Sequence, residues 1–312
     1  MNTQYPPCQF IVKDLIPAQG FILFAGMPKA GKSLFIVLLL LSVSGNASTF
    51  LKHTIQMHVK VLYLCLEDTA SRLKERMTKM GLEPTENFLI SNEWEPVAKG
   101  GITKLINFLK MSPDVKLIVI DTKGKFFAGN ENENFQRDYD DMAKLKEICD
   151  KMNVAIILVT HLRKKPFVED EFESVSGSVG NTAAPDTVMM LKRARNQNKG
   201  ELYLTSRDYQ ERKLDIYLDN RTLTWKAAGA DTAKIENLTS KREKIITAMY
   251  ELGGKATPLQ ISEKIGGTAK NISNLLTTMS KFGFVDPSEK NDGVWKLGSN
   301  ALSYFEGGTE NE

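Results

Sequence analysis

The sequence predicts an α/β fold: a mostly parallel sheet with helices on both faces, followed by a small C-terminal domain. Two observations predict the sheet. Several strand segments are apolar at nearly every position, as strands buried on both faces are, and they alternate with helical segments. A third observation predicts the small domain, because short helices and one hairpin replace this pattern after residue 240.

Alternating strands and helices account for most of residues 21–161. Strands are predicted at 21–26, 59–67, 115–121 and 154–161, and helices at 34–47, 69–81, 100–112 and 134–153. The first helix is apolar nearly all round, so we expect it to be buried. Thr69 or Ser71 is expected to cap the second helix, and Gly81 to end it.

Shorter strands separated by polar turns follow residue 185. They are predicted at 186–194, 200–208, 213–219 and 221–227, and we interpret them as antiparallel additions to the edge of the sheet. The first domain is therefore expected to span 1–229.

A polar linker at 230–240 is expected to lead into the small domain at 241–300. Helices at 241–254, 257–267 and 268–283, then a hairpin at 284–298 turning at 291–293, follow the element order of a winged helix. Helical spacing predicts ten core positions: Ile245, Ile246, Met249, Leu259, Ile261, Ile265, Ile272, Leu275, Leu276 and Met279. Residues 301–312 are expected to form a disordered tail.

Composition excludes several classes of protein. The chain has 312 residues, 42% hydrophobic and 25% charged, with a net charge of +3, so it is neither disordered, collagenous, coiled-coil nor a polycation. Its three cysteines, Cys8, Cys65 and Cys149, fit neither a zinc site nor a disulfide framework. The N-terminus lacks a signal-peptide pattern, and the run Leu34–Leu41 is too short to span a bilayer. We therefore expect a soluble, cytoplasmic protein.

A phosphate-binding motif lies between the first strand and the first helix. The sequence GMPKAGKS (26–33) matches G-x-x-x-x-G-K-[ST], a P-loop that predicts ATP and Mg²⁺ as cofactors. Backbone N–H groups and Lys32 would contact phosphates, and Ser33 would ligate the metal. The predicted nucleotide-binding residues are Gly26, Lys29, Ala30, Gly31, Lys32, Ser33 and Leu34. Lys29 either adds charge near the phosphates or is simply solvated.

Three strand ends carry further candidates. Asp121 ends an apolar strand, as the metal-binding Walker B carboxylate does. Thr122 follows it, and the absence of a Glu there disfavours the AAA+ arrangement. Glu67 is the candidate to activate water, with Asp68 as a competitor, and His161 could sense the γ-phosphate.

This ordered set resembles the RecA-like ATPase core, and specifically the plasmid RepA-type hexameric replicative helicases. The resemblance covers about residues 10–228, through IPAQGFILFAGMPKAGKS, VLYLCLED, LIVIDTKGKFF, SVSGSVGNTAAPDTVMMLKR and LTSRDYQERKLDIYLDNRTLTWK. It implies a homo-oligomer, a hexameric ring or a filament, with ATP between subunits, and places Glu67 at the catalytic glutamate position. It also places Arg207 at the arginine-finger position, although relatives often carry Lys where this chain has Thr205.

Single-stranded DNA is the partner that the resemblance implies, held by the stretches 122–134 and 163–181. In the first stretch, Lys123 and Lys125 stand next to Phe126 and Phe127, which suits backbone contact and base stacking. In the second, the basic residues 163–165 are opposed by the acidic segment EDEFE (169–173).

The small domain offers DNA-facing candidates of its own, at Lys270, Asn271, Asn274, Lys281, Lys290, Asn291 and Lys296. Residues 231–300 hold ten basic and eight acidic side chains, which is a weak charge bias, so docking of replication proteins stays an alternative.

The leading hypothesis is thus an ATP-driven DNA helicase or translocase of replication, with catalytic residues Lys32, Glu67, His161 and Arg207 and metal ligands Ser33 and Asp121. One alternative is a RecA-like recombination or annealing ATPase that forms filaments. Another is an ATP-switched regulator whose small domain binds a specific DNA sequence. No membrane role is expected.

Overall fold

The computed structural model describes residues 8–45, 47–128, 135–162, 184–194, 197–207, 210–228, 240–287 and 292–306. The chain divides into two compact units. The first consists of Met1–Arg195 with Lys199–Ala227, and the second of Asn196–Asn198 with Ala228–Glu312. Among the described residues, no helix combines the length and apolarity that crossing a bilayer requires.

A mostly parallel sheet forms the centre of the first unit. The strands of this unit are β1 (Phe10–Val12), β2 (Ile16–Pro17), β3 (Gly20–Gly26), β4 (Thr49–Phe50), β5 (His53–Thr54), β6 (Lys60–Cys65), β7 (Phe88–Ser91), β8 (Val115–Asp121), β9 (Ala155–His161), β10 (Thr187–Arg193), β11 (Lys199–Ser206), β12 (Arg212–Asp219) and β13 (Thr224–Ala227). Within the described ranges the large sheet has the order β13-β12-β11-β10-β3-β9-β8-β6-β7. The predicted mixed α/β, RecA-like class is confirmed.

The direction of β10 differs from the prediction. It pairs parallel with β3, with Thr187 beside Ile22 and Leu191 beside Gly26, whereas the pairs β10–β11, β11–β12 and β12–β13 are antiparallel. The physical reason is that 25 residues, 162–186, separate β9 from β10. Parallel neighbours need a crossover connection of a dozen or more residues, and this segment is long enough to supply one.

Helices cover both faces of this sheet. They are α1 (Lys32–Ser44), α2 (Ala70–Met80), α3 (Gly101–Met111), α4 (Lys123–Phe126) and α5 (Phe135–Met152), with a 3₁₀ turn at Val97–Lys99. One apolar core packs α1 against one face of the sheet, and a second packs α3 and α5 against the other. Thr69 caps α2 by accepting a hydrogen bond from the Arg72 N–H. The predicted elements of this region are therefore present, and each parallel strand ends near the same edge.

The second unit contains α6 (Ser240–Glu251), α7 (Pro258–Ile265), α8 (Ala269–Ser280) and α9 (Ser299–Glu306). Strands β14 (Lys255–Ala256), β15 (Val285–Pro287) and β16 (Trp295–Leu297) pair antiparallel in the order β14-β16-β15. Most of the expected core positions are buried together, but Leu259 is 59% exposed. The winged-helix assignment of this unit stays a prediction.

Residues 299–306 correct one expectation about the C-terminus. They form helix α9, and Ala301 is fully buried, whereas a disordered tail was expected from residue 301. Gly298 and Asn300 connect the start of the helix to the loop before β15, because their backbone N–H groups donate to the carbonyls of Phe284 and Gly283. Most of the expected linker at 230–240 and the tip of the hairpin at 288–291 lie outside the described residues.

Candidate functional site

The predicted phosphate-binding turn connects β3 to α1. Two of its residues have positive φ angles, Lys29 at 66° and Gly31 at 101°. Alternation of right-handed and left-handed residues turns successive backbone N–H groups toward one side, which makes an anion-binding concavity. All seven predicted nucleotide-binding residues, 26, 29–31 and 32–34, lie in this turn or at the start of α1.

Lys32 is buried at the base of the turn. Its Nζ donates to the carbonyl oxygens of Gly26 at 2.7 Å and Met27 at 3.1 Å, and lies 3.0 Å from Nδ1 of His161. Burial lowers the pKa of Lys32 to about 8, although the charges of Asp121 and Glu67 oppose the shift. The ammonium thus lies beside the turn, at the site where phosphate charge would be received.

Asp121, at the end of β8, lies beside the first turn of α1. Its carboxylate accepts a hydrogen bond from the Tyr63 hydroxyl at 3.0 Å, and the Ser33 side chain lies close enough to influence its titration. Burial raises the pKa of Asp121, and the Tyr63 and Ser33 hydroxyls oppose the shift. A buried carboxylate and a hydroxyl supply oxygen ligands of the kind that Mg²⁺ takes alongside nucleotide phosphates. The two predicted metal ligands are therefore adjacent and chemically suited to that ion.

A chain of polar contacts connects the turn with three strand ends. Because the ammonium form of Lys32 can only donate, Nδ1 of His161 is the acceptor in this contact, which leaves Nε2 as the ring nitrogen that carries a proton. That Nε2 lies 3.5 Å from Oε2 of Glu67. On the other side, the Thr122 hydroxyl donates to Oε1 of Glu67 at 2.7 Å. The structure thus brings Lys32, His161 and Glu67 together, and both Glu67 and His161 keep 42% of their side-chain surface exposed.

Asp68, the competitor of Glu67, is engaged elsewhere. Its carboxylate forms an ion pair with Arg76 and lies 3.6 Å from Arg72, both on α2. Only 13% of the Asp68 side chain is exposed. Asp68 therefore serves to hold α2, whereas Glu67 is the carboxylate that faces the turn.

Arg207 is not part of this cluster. Its backbone N–H donates to the Asp186 carbonyl, and the Asp186 N–H donates to the Phe21 carbonyl. Phe21 and Gly26 are at opposite ends of β3, roughly 16 Å apart at the usual rise of a strand. Within one chain, Arg207 is thus remote from the turn, and its action across a subunit interface stays a prediction.

The predicted DNA-contacting stretch at 122–134 is described as far as residue 128. Phe126 is 1% exposed and packs in the core, with Phe127 against it at a ring distance of 5.3 Å. Base stacking on Phe126 is therefore a wrong expectation, because the ring that the short helix α4 buries cannot meet a base. Lys125 is exposed. The stretch 163–181 lies outside the described residues.

Sequence reasoning missed four residues of the site. Thr122 and Tyr63 hold the carboxylates of Glu67 and Asp121. Arg193 and Trp225 donate to backbone carbonyls of the turn itself. The position of Thr122 directly after the Walker B carboxylate could have indicated that it lies in the site. The other three lie in strands, and nothing in the sequence distinguishes them from ordinary strand residues.

Comparison with known families covers the first half of the chain. A family model described as "AAA domain" matches residues 1–166, more than half of the 312 residues. The matched part includes the turn, Glu67, Asp121 and His161, while β10 to β13 follow it. No curated protein matches the chain.

Proposed function

The chain belongs to the AAA domain family, and from that premise we propose that it is an ATP-dependent DNA helicase or translocase. Family membership supports nucleotide binding and hydrolysis. The observation that carries the proposal is the contact chain from Lys32 through His161 to Glu67, since it joins a phosphate-binding turn to a carboxylate able to take a proton.

Hydrolysis would use the residues as follows. The N–H groups of the turn and Lys32 would hold the phosphates, and Ser33 and Asp121 would hold Mg²⁺, which would supply positive charge to neutralise the phosphates. Lys32 would break its hydrogen bonds to the carbonyls of Gly26 and Met27 and donate to phosphate oxygens instead. Glu67 orients a water molecule and accepts its proton.

The same contacts support a role for His161 in sensing the nucleotide. His161 lies between Lys32 and Glu67, so a shift of Lys32 toward phosphate changes what its Nδ1 contacts. The stretch 163–181, which follows His161 in the chain, would then pass this change to single-stranded DNA.

The DNA and oligomer parts of the proposal rest on the resemblance to RepA-type replicative helicases. The protein would form a homo-oligomeric ring, with Arg207 of each subunit reaching the nucleotide of the next. Lys123 and Lys125 in α4, which follows Asp121 directly, would contact single-stranded DNA. The second unit would dock DNA or replication proteins.

ATP hydrolysis with and without single-stranded DNA tests the proposal. We expect single-stranded DNA to stimulate turnover, and Lys32→Ala to abolish it. A matched control is Lys60→Ala, which removes a partly exposed lysine paired with Asp114. Turnover that is indifferent to DNA would contradict a DNA motor.

Strand displacement on a forked duplex tests the helicase part separately. Displacement that requires ATP and Lys32 supports it. DNA-stimulated turnover without displacement would contradict unwinding and favour the annealing ATPase.

A further inference from the structure

Three successive carbonyl groups of the phosphate-binding turn are held by side chains from outside it. Arg193 donates from Nε to the carbonyl of Ala30 and from a terminal nitrogen to that of Lys29, both at 3.0 Å. Trp225 donates from Nε1 to the carbonyl of Gly31 at 3.1 Å. The carbonyls of residues 29, 30 and 31 are thus all fixed by donors from β10 and β13.

The indole of Trp225 lies in a slot that two glycines make possible. A Cβ on Gly31 would lie 2.9 Å from Cζ2 of the ring, and a Cβ on Gly200 would lie 2.9 Å from Cζ3. Trp225 is 3% exposed. A glycine is therefore needed at position 31 for two reasons. It leaves room for the indole ring, and it adopts a φ of 101°, which side chains disfavour.

These contacts bear directly on phosphate binding. Each peptide group carries its N–H opposite its C=O, so a donor that fixes the carbonyl of Ala30 or Gly31 also fixes the N–H of residue 31 or 32 on the other side, whereas the N–H of Ala30 donates to the Met27 carbonyl. Lys32 would have to break its hydrogen bonds to the carbonyls of Gly26 and Met27 in order to contact phosphate. Arg193 and Trp225 would keep their hydrogen bonds to the turn when phosphate binds. The Arg193 guanidinium also brings a positive charge behind the anion site.

We propose that Arg193 and Trp225 are positioning residues that hold the turn in its phosphate-binding conformation before nucleotide arrives. The inference rests on the proposed nucleotide binding and extends it, because both residues lie beyond the family match at 1–166. The antiparallel strands at the edge of the sheet would then contribute to the nucleotide site, since β13 places Trp225 against Gly31 at the start of α1.

Variants at both positions test the inference. Arg193→Gln removes the two-pronged donor, Arg193→Lys keeps the charge, and Trp225→Phe removes only the indole N–H and part of the ring. Arg212→Gln, whose side chain pairs with Asp14, and Trp295→Phe, in the second unit, are the matched controls. The dissociation constant for ATP is measured by calorimetry, and KM and kcat by ATP turnover.

We expect Arg193→Gln and Trp225→Phe each to raise Kd and KM about tenfold, as the loss of one or two hydrogen bonds implies. The Kd and KM of Arg193→Lys should lie between those of Arg193→Gln and those of wild type. The controls should stay within about twofold of wild type, and kcat should change less than about threefold throughout.

Failure of the inference is distinguishable from failure of the proposed function. If wild type binds ATP and both variants bind it within twofold of wild type, the positioning role is overturned and nucleotide binding stands. A fall in kcat with unchanged KM also overturns it. If wild type does not bind ATP, the proposed function fails and the inference with it. Should Trp225→Phe not fold, the two Arg193 variants decide by the same criteria.

Discussion

Thr122→Val removes the hydroxyl that orients Glu67 while keeping the shape of the side chain. The wild-type hydroxyl donates to Oε1 of Glu67 at 2.7 Å, and Thr122 is 2% exposed, so no water replaces it easily. A hydrogen bond to a charged group contributes about 1.5–3 kcal/mol. If that energy is lost where Glu67 meets the attacking water, kcat falls roughly 10- to 100-fold.

Steady-state ATP turnover and calorimetric ATP binding separate an effect of Thr122→Val on the rate of hydrolysis from an effect on nucleotide affinity. Kd should stay within about twofold, because Thr122 donates to Glu67 and not to the phosphate-binding turn. Thr122→Ser keeps the hydroxyl and is expected to turn over at a rate close to wild type. A Thr122→Val variant with wild-type kcat would contradict this role of the hydroxyl, and so would an equal loss of kcat in Thr122→Ser.

Three other perturbations have definite expected outcomes. Gly31→Ala, which crowds Trp225 and forces a side chain into positive φ, should lower the free energy of unfolding by at least about 1 kcal/mol in urea and weaken ATP binding; wild-type stability would contradict this. Tyr63→Phe should lower the free energy of unfolding by about 1–2 kcal/mol, because buried Asp121 loses a donor; an unchanged urea midpoint would count against it. ATP binding should weaken about tenfold from pH 7 to pH 9, since Lys32, with a pKa of about 8, loses the proton that phosphate binding favours; a flat calorimetric profile would exclude this titration.

Local sequence signals were sufficient for the nucleotide-binding turn and its neighbours. A strand of buried residues, glycines, Lys32 and a following helix occur together in one stretch of chain, so their geometry follows from their order. The ends of parallel strands meet at one edge of a sheet. Glu67, Asp121 and His161 could therefore be placed near the turn from the sequence.

Contacts between distant segments were beyond the reach of sequence patterns. Trp225 meets Gly31 across 194 residues, and nothing in a tryptophan on a short strand indicates its partner. Tyr63 reads as a core aromatic until the Asp121 carboxylate is seen beside its hydroxyl. The parallel direction of β10 was missed because an extended apolar segment carries no signal of its orientation.

The choice of Glu67 as the carboxylate that activates water is most directly tested by Glu67→Gln. Glutamine keeps an oxygen that can accept the Thr122 hydroxyl but cannot take a proton. With saturating ATP and single-stranded DNA, we expect this variant to bind ATP within about threefold of wild type and to turn over at least about 100-fold more slowly. Turnover within a few fold of wild type, with binding intact, would contradict the role given to Glu67 and the hydrolytic site built around it.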